Sequence, residues 1–420
     1  MALHRLGKDL ELGRELLGGK AWGITEMLRQ GISVPPACAI TTDECHRYAK
    51  AGGEISAAVV AALPDALNWI GDAVGGRRFG GGAAAPLLVS VRSGAPISMP
   101  GMMDTILNLG INDQVEAALA TAAGAAYAAD THQRFRDQYA KVVGSAAPAD
   151  PDAQLRGAIA AVFESWNSDR AVAYRAQRGI ASDLGTAVTI QAMVFGNLDE
   201  RSGTGVLFSR DPLSASPQPY GEWLGGGQGE DIVSGEYDPE PLAAMAAALP
   251  KQHAELLEYA RRLDAAADHA QDIEFTVESG RLWLLQCRNA RVMEASGQAI
   301  ATAETATAEL LGEGRPASPG IVNGTVVSDM VEAEMRALEG EQIILARPTT
   351  SPHDVRAMAV VAGIITEIGG ATSHAAVVSR ELGVACVVGL GAGASERLAG
   401  REVTLDADAG RVYAGWLQLD

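Results

Sequence analysis

The chain has 420 residues, 47% of them hydrophobic and 20% charged. That length suits about two to four domains with well-formed cores. Lys and Arg number 33 against 52 Asp and Glu, a formal net charge of -19. This balance argues against a nucleic-acid or anionic-membrane binder, because such surfaces are usually basic, although a local Arg and Lys cluster could still hold a phosphate. Glycine is in excess, with 48 residues against an average of roughly 7%, and the excess falls in short clusters.

No segment of the sequence is typical of a membrane span or a secretory leader. No stretch of about 18 uncharged apolar residues occurs, and the N-terminal segment mixes both charges without an apolar core. The cysteines stand in apolar contexts without a CxxC pair, which favours buried reduced thiols over disulfides or a zinc site. They are Cys38, Cys45, Cys287 and Cys386. We therefore expect a soluble cytoplasmic protein with no membrane and no nucleic-acid partner.

The first part of the chain alternates predicted helices and strands. Apolar residues at helical spacing predict a helix over 20–30 that closes at Gly31. A Val-rich run ending in Gly predicts a buried strand over 86–94, and Ala-rich helical periodicity covers 114–143 and 153–178. The β-rich segments are 186–196, 203–211 and 271–289, the last a hairpin turning at 278–280.

A change of pattern near residues 296–316 predicts a linker, because this segment has small residues, little bulk and a Gly-Glu-Gly-Arg-Pro end. Short strands with intervening helices follow it. The predicted organisation is a first domain over 1–295, with subdomains near 1–110, 111–185 and 186–295, then the linker 296–316 and a second domain over 317–420.

The sharpest local signal is GGATSHAAVVSRELG, residues 369–383. A predicted strand runs into Gly369–Gly370, and Thr372 or Ser373 can cap a helix that starts near His374. Exposed N–H groups and the helix dipole favour an arriving phosphate at this point. The same field disfavours the imidazolium and leaves a neutral nitrogen as a nucleophile. The alternative is a histidine that only packs or caps.

A second signal is SVRSGAPISMPGMMDTILNLG, residues 90–110. Arg92 ends a predicted strand, and the loop with Gly101, Met103 and Asp104 follows it. Exposed loop backbone beside an arginine suits phosphate binding. The alternative is an ordinary turn.

Two further glycine-rich segments are weaker signals. GGKAWG places Lys20 at a helix start behind two glycines, although it is not the P-loop, which needs GxxxxGK followed by Ser or Thr. GEWLGGGQGEDIVSG, residues 221–235, is either a ligand loop or a long surface turn.

The predicted hairpin over 271–289 carries polar residues at alternating positions. Asp272, Glu274 and Thr276 share one face of their strand, and Gln286 and Arg288 share a face of the next. Carboxylate and amide oxygens that converge in this way can hold Mg²⁺ against nucleotide phosphates. The alternative is a solvated strand face.

Taken in order, these motifs resemble the pyruvate, phosphate dikinase family in its N-terminal nucleotide-binding part and its central phosphohistidine part. The segments that carry the resemblance are GGKAWGITEM, SVRSGAPISMPGMMDTILNLG, VFGNLDERSGTGVLFSRDP, GQGEDIVSG, QDIEFTVESGRLWLLQCRN, ASPGIVNGTVV and GGATSHAAVVSRELG. The resemblance implies an α/β fold: an ATP-grasp nucleotide-binding domain followed by a swivelling β/β/α domain with the phosphorylated histidine.

The resemblance also implies roles for individual residues around the nucleotide. Lys20 and Arg92 would contact its phosphates, together with the loop of Gly101, Met103 and Asp104. Mg²⁺ would be bound by Glu274 and Gln286, with support from Asp272.

The remaining implied roles concern phosphoryl transfer. Arg92, Arg134 and Arg288 match arginines that handle the γ-phosphate and inorganic phosphate. His374 matches the phosphoryl acceptor. Thr372 matches the threonine that plant relatives use for regulation, which does not imply regulation here.

The GMMDT form of the loop resembles the phosphate-dependent dikinase rather than the water-dependent synthase of phosphoenolpyruvate. The expected half-reaction converts ATP, inorganic phosphate and His374 into AMP, pyrophosphate and phosphohistidine, with the arginines and Mg²⁺ offsetting the repulsion between anions. The family's helical insert near residue 145 and its C-terminal (β/α)₈ barrel for pyruvate and phosphoenolpyruvate are not matched. We therefore expect the acceptor, or a barrel partner, to lie outside this sequence.

Two rival functions stay open from the sequence. The chain could be a small-molecule kinase that binds its own acceptor between the two domains. It could instead be a non-catalytic ATP-binding regulatory subunit that pairs with a barrel protein. Retention of Lys20, Arg92, Glu274, Gln286 and His374 together argues against a decayed site.

Overall fold

A computed structural model of the chain describes residues 3–81, 85–99, 101–214, 216–234, 237–293, 297, 299–301, 304 and 307–419. The chain divides into two compact units, Met1–Leu198 with Trp283–Arg288 and Asp199–Leu282 with Asn289–Asp420. The predicted linker over 296–316 lies in the second unit and partly outside the described residues, so the predicted domain boundary stays a prediction. The predicted α/β class is confirmed.

An antiparallel sheet with the strand order β1-β2-β7-β5-β6 is the centre of the first unit. Its strands are β1 (Leu3–Arg5), β2 (Ala37–Ile40), β5 (Val89–Gly94), β6 (Thr105–Leu109) and β7 (Ala187–Ala192). A separate parallel pair comprises β3 (Arg78–Phe79) and β4 (Pro86–Leu87). Every residue of β2 and β7 is buried, and both strands consist mainly of apolar and small residues.

The first unit also contains helices, most of which contact strands of this sheet. They are α1 (Arg14–Arg29), α2 (Thr42–Lys50), α3 (Ala57–Ala73), α4 (Asp113–Ala123), α5 (Ala125–Val143), α6 (Pro151–Ser165) and α7 (Asp169–Arg178). The predicted helical stretch over 114–143 is broken at Gly124, whose φ of 101° is accessible to glycine and ends α4. The stretch over 153–178 is also two helices, because Ser168 caps α7 with its side chain.

A second antiparallel sheet lies in the second unit, with strand order β10-β9-β8-β11. Its strands are β8 (Gly203–Phe208), β9 (Tyr220–Gly225), β10 (Glu240–Pro241) and β11 (Gln271–Glu278), and its helices are α8 (Gly229–Ser234), α9 (Leu242–Ala248) and α10 (Pro250–Ala267). Strand β12 (Arg281–Asn289) follows β11 after a two-residue turn. The predicted turn is confirmed: Ser279 and Gly280 both have positive φ, at 48° and 79°.

The second unit also contains a mixed eight-stranded sheet in the order β13-β20-β19-β15-β16-β17-β18-β14. The strands predicted beyond residue 317 are confirmed within it. Its strands are β13 (Leu310–Glu313), β14 (Arg315–Ser318), β15 (Ile321–Val327), β16 (Ile343–Arg347), β17 (Gly363–Thr366), β18 (Ala385–Val388), β19 (Glu402–Asp406) and β20 (Arg411–Ala414). The helices beside it are α11 (Met330–Leu338), α12 (Val355–Met358), α13 (His374–Leu382) and α14 (Ala394–Leu398).

The parallel strands β15 to β18 are the centre of this sheet, and helices connect them as parallel pairing requires. Their buried face joins the apolar side chains of β19, β20 and α14 in one core. This core fixes the end of β17, from which the chain leads to α13.

The four cysteines are buried thiols rather than disulfides, as the sequence predicts. Burial raises the pKa of Cys38 and of Cys386 to about 12. Within the described part of the chain, no helix is both long enough and apolar enough to cross a membrane.

Candidate functional site

The turn before helix α13 places His374 at the first helical position. Ser373 is the N-cap, and its Oγ accepts a hydrogen bond from the Ala376 N–H at 3.5 Å. Of the two predicted caps, Ser373 therefore has this role. Gly383 ends the helix in the left-handed conformation. The helix therefore begins after Ser373 and ends before Gly383, as the serine and the glycine in the sequence predict.

The His374 imidazole is held neutral. Its Nδ1 lies 3.0 Å from Thr350 Oγ1, whereas its Nε2 is buried and has no hydrogen-bond partner among the described residues. Burial lowers the pKa of His374 from 6.5 to about 4, against an opposing effect of the Asp354 carboxylate. The ring is therefore uncharged at neutral pH. If Nδ1 carries the hydrogen and donates it to Thr350, Nε2 keeps its lone pair.

Thr372 does not cap the helix but contacts Glu222, a buried residue of β9. The Glu222 carboxylate accepts hydrogen bonds from the Ala371 N–H at 3.0 Å, the Thr372 N–H at 3.0 Å and the Thr372 hydroxyl at 2.6 Å. Gly370 permits this approach, because a Cβ there would stand 2.3 Å from the carboxylate oxygens. The sequence reasoning did not single out Glu222.

Glu222 lies in the same row of the second unit's antiparallel sheet as Glu274. In the strand register, Glu274 of β11 is opposite Val206 of β8, and Val206 is opposite Glu222 of β9. Directly opposite residues on neighbouring antiparallel strands project to the same face. The Glu274 and Glu222 side chains therefore lie on one face, two strand spacings or about 9–10 Å apart along the row.

Helix α13 reaches this same sheet face through the side chain of Arg380. Phe208 is opposite Asp272 in the register, and its ring lies 5.2 Å from the Arg380 guanidinium of α13. Arg380 also donates to the Ala317 carbonyl at 2.8 Å. The histidine helix and the predicted carboxylates Asp272 and Glu274 thus share one face of one sheet.

Lys20 and Arg92 are brought close in the first unit by glycines. The Lys20 ammonium donates to the Ser93 carbonyl at 2.7 Å, beside Arg92. A Cβ on Gly18, whose φ is 69°, would stand 1.7 Å from the Gly94 carbonyl oxygen, so this approach of α1 to β5 requires glycine.

Arg92 also contacts a residue of β12. Its Nη2 donates to Gln286 Oε1 at 3.1 Å, joining two predicted site residues that are 194 positions apart. Gln286 is buried, and Arg288, two positions further on β12, is half-buried. The predicted sharing of one strand face by Gln286 and Arg288 agrees with their place on β12.

The loop after β5 is held by Arg170, which the sequence reasoning missed. Its guanidinium forms an ion pair with Asp104 and donates to the Met102 carbonyl at 3.1 Å. Met103 is half-buried, and Gly101 has a positive φ of 70°. The predicted phosphate-binding loop is therefore ordered around Asp104 by a cation from α7.

Arg134 lies apart from that loop in the chain, on α5, where its Nε donates to Asp130 at 2.8 Å. The segment 221–235 is neither a long turn nor a free loop over its described part, since it forms β9 and α8. Within it, Asp231 accepts from the Gln228 N–H at 2.9 Å.

Comparison of the sequence with known protein families finds two matches along the chain. The family "Pyruvate phosphate dikinase, AMP/ATP-binding domain" matches residues 52–250 and 242–309, and "PEP-utilising enzyme, mobile domain" matches residues 339–410. The first match is to a family of nucleotide-binding domains, and the second, which includes His374, is to a family of mobile domains. The chain belongs to the pyruvate, phosphate dikinase family, which confirms the resemblance seen in the motifs.

Several curated relatives support the assignment. Pyruvate, phosphate dikinase 2 of Zea mays is 39% identical over 455 residues, covering 90% of this chain and 51% of the relative. Pyruvate, phosphate dikinase of Clostridium symbiosum is 34% identical over 495 residues, covering 96% of this chain and 56% of the relative. The chain spans about half the length of the curated relatives it matches.

Proposed function

We propose that the chain catalyses a dikinase half-reaction in which ATP, inorganic phosphate and His374 give AMP, pyrophosphate and phosphohistidine. One observation carries the proposal. The neutral, buried Nε2 of His374 lacks a partner among the described residues, and its helix lies on the sheet face that carries Asp272 and Glu274. Membership of the dikinase family supports the same chemistry.

The products fix which bonds change. In this proposal Nε2 of His374 attacks the β-phosphorus, whose bond to the α-phosphate oxygen breaks. AMP leaves, and the pyrophosphoryl group is then bonded to Nε2. Inorganic phosphate then attacks the γ-phosphorus, and the bond between that phosphorus and the β,γ-bridging oxygen breaks. Pyrophosphate leaves, and the bridging oxygen stays with the β-phosphoryl group on His374. A neutral imidazole needs no base before it attacks, so its lowered pKa suits a nucleophile.

The cationic residues would stabilise the transferred phosphates. Lys20 and Arg92 are adjacent to Ser93 at the end of β5, where they would bind the β- and γ-phosphates. Arg288 and Arg134 would bind the γ-phosphate and inorganic phosphate. These charges offset anion repulsion during in-line transfer.

The loop of Gly101, Met103 and Asp104 would close over the phosphates. Its backbone N–H groups are the donors that such loops supply. Arg170 keeps the loop in place through Asp104, so Asp104 acts through loop geometry in this proposal.

Glu274 and Gln286 fit Mg²⁺ by the chemistry of their donors, because carboxylate and amide oxygens are the ligands it prefers. The Gln286 Oε1 accepts a hydrogen bond from Arg92 at 3.1 Å, which places this amide oxygen beside a proposed phosphate-binding cation. Asp272 would support the site from the same strand face as Glu274. When bound, Mg²⁺ would neutralise phosphate charge. The protein residues would orient the nucleotide and keep His374 neutral.

The phosphoryl group would pass from His374 to an acceptor on a barrel of the pyruvate and phosphoenolpyruvate type, supplied outside residues 1–420, or to a small molecule. Addition of pyruvate to the labelled protein, with and without a separately supplied barrel protein, distinguishes these routes.

The test of the half-reaction uses ATP labelled at the β-phosphate. We expect acid-labile label on the wild-type protein, with AMP formation, and pyrophosphate formation only when inorganic phosphate is present. His374→Asn should abolish the label. His353→Asn is the matched control, since His353 is exposed in the same unit, and it should retain the label. Nucleotide binding without label or AMP would refute the proposal and favour a regulatory subunit.

A further inference from the structure

Glu222 is a buried carboxylate whose hydrogen bonds all reach towards the His374 turn or a single arginine. Its side chain is 4% exposed, and its two oxygens accept the three donors of Ala371 and Thr372. Arg315 lies 3.5 Å from Glu222 Oε1 and donates to the Pro239 carbonyl at 3.2 Å. A buried carboxylate is stable only with such partners.

The Ala371 and Thr372 N–H groups are consecutive and converge on one anion. This arrangement is a backbone nest, a concavity that binds anions. Here a glutamate of the same chain occupies it. The fit is close, since any side chain at Gly370 would collide with the carboxylate, at 2.3 Å from an added Cβ.

The contact between Glu222 and the Ala371–Thr372 turn also fixes the position of His374 relative to the sheet. Glu222 is in the row of Glu274, so the nest is fixed about two strand spacings from that carboxylate. At the far end of α13, Arg380 covers Phe208, and Arg291 donates to the Glu381 carbonyl at 2.6 Å. The helix is therefore held at both ends, and Glu222 holds the end with the histidine.

We propose that Glu222 is a positioning residue: its carboxylate fills the Ala371–Thr372 nest and holds His374 on the sheet face of Glu274 for phosphoryl acceptance. The proposal rests on the proposed half-reaction. Glu222 acts through the turn and touches neither His374 nor phosphate in this role. Replacing the carboxylate by an amide leaves the shape but sets an NH₂ group against N–H donors, so the turn should detach.

Two measurements on the full chain test this role. The first is the rate of His374 labelling from β-labelled ATP in a single turnover. The second is the rate at which diethylpyrocarbonate modifies His374, read by peptide mass spectrometry, which needs no catalysis. We expect Glu222→Gln to slow labelling about 10- to 100-fold with ATP binding unchanged, because a displaced nucleophile loses its alignment. Modification by diethylpyrocarbonate should become faster.

The control is Glu240→Gln, which removes the same charge from an exposed residue. Glu240 lies on β10, the strand next to β9. This variant should match the wild type in both rates. Thr372→Val should give a smaller loss of labelling, and Thr372→Ser, which keeps the hydroxyl, should restore the rate. The folded state of each variant is checked by circular dichroism.

The outcomes separate the two proposals. If Glu222→Gln leaves either rate unchanged, or lowers ATP binding together with labelling, the positioning role is wrong. If the wild type takes up no label but Glu222→Gln still accelerates modification of His374, the contact holds the turn and the half-reaction is wrong. Slower labelling with faster modification supports both.

Discussion

Protonation of His374 is the perturbation for which the structure gives a magnitude. The folded pKa of about 4 lies below the ordinary 6.5, because burial disfavours the imidazolium. The unfolded chain therefore binds more protons than the folded chain between these two values. The free energy of unfolding should fall as the pH falls through that window, and His374 should contribute no pH dependence well above 6.5.

The size of the effect follows from the two pKa values. A difference between 6.5 and about 4 corresponds to about 3 kcal/mol when both states are fully titrated, and to about 2 kcal/mol between roughly pH 7 and pH 5. His374→Asn removes this titration and leaves the other six histidines, so the difference between the two proteins isolates it.

Urea unfolding of the wild type and His374→Asn at both pH values measures this difference. The wild type should lose about 2 kcal/mol more than the variant on acidification. Proton or carbon NMR of the imidazole should place the titration of His374 far below that of an exposed histidine. A midpoint near 6.5, with parallel pH dependence in the two proteins, would refute the argument that burial keeps His374 neutral.

Three further predictions use other contacts. Thr350→Val removes the partner of His374 Nδ1 and should slow His374 labelling about tenfold or more, whereas an unchanged rate would show that this bond does not set the tautomer. Gly18→Ala places a Cβ 1.7 Å from a carbonyl oxygen and should lower the free energy of unfolding by over about 2 kcal/mol in urea titrations, and a smaller loss would mean that α1 adjusts. The buried Cys386, with its pKa raised to about 12, should resist a thiol reagent at mild alkaline pH until urea unfolds the chain, and reaction in the native state would contradict its burial.

Local signals were sufficient to predict the helix of His374 and the turn of the 271–289 hairpin. In both, a short stretch supplies its own geometry: a serine cap and a terminal glycine in α13, and two positive φ values at Ser279 and Gly280. The breaks near Gly124 and Ser168 were missed, because alanine-rich periodicity continues through them. The predicted roles of the site residues stay predictions.

Contacts between distant segments could not be predicted in the same way. Glu222 is 150 positions from Thr372, and Arg170 is 66 positions from Asp104. Neither belongs to a motif whose spacing reports its partner. The strand register places Glu222 in the same row as Glu274, and this relation is visible only in the folded structure. Sequence spacing therefore finds the histidine and its helix cap, while the fold is needed to find what holds the turn.

The glycine clusters have a second use that the sequence did not indicate. Gly18 and Gly370 each leave room for an atom of the protein itself, the Gly94 carbonyl oxygen and the Glu222 carboxylate. Both approaches bring a proposed phosphate-handling side chain into position, Lys20 in one unit and His374 in the other. In this acidic chain, the Glu222 carboxylate already accepts the hydrogen bonds of the Ala371 and Thr372 N–H groups. The anion-binding nest is therefore already occupied. The phosphoryl group would then be received by the histidine ring, and the turn's N–H groups would hold that ring in place.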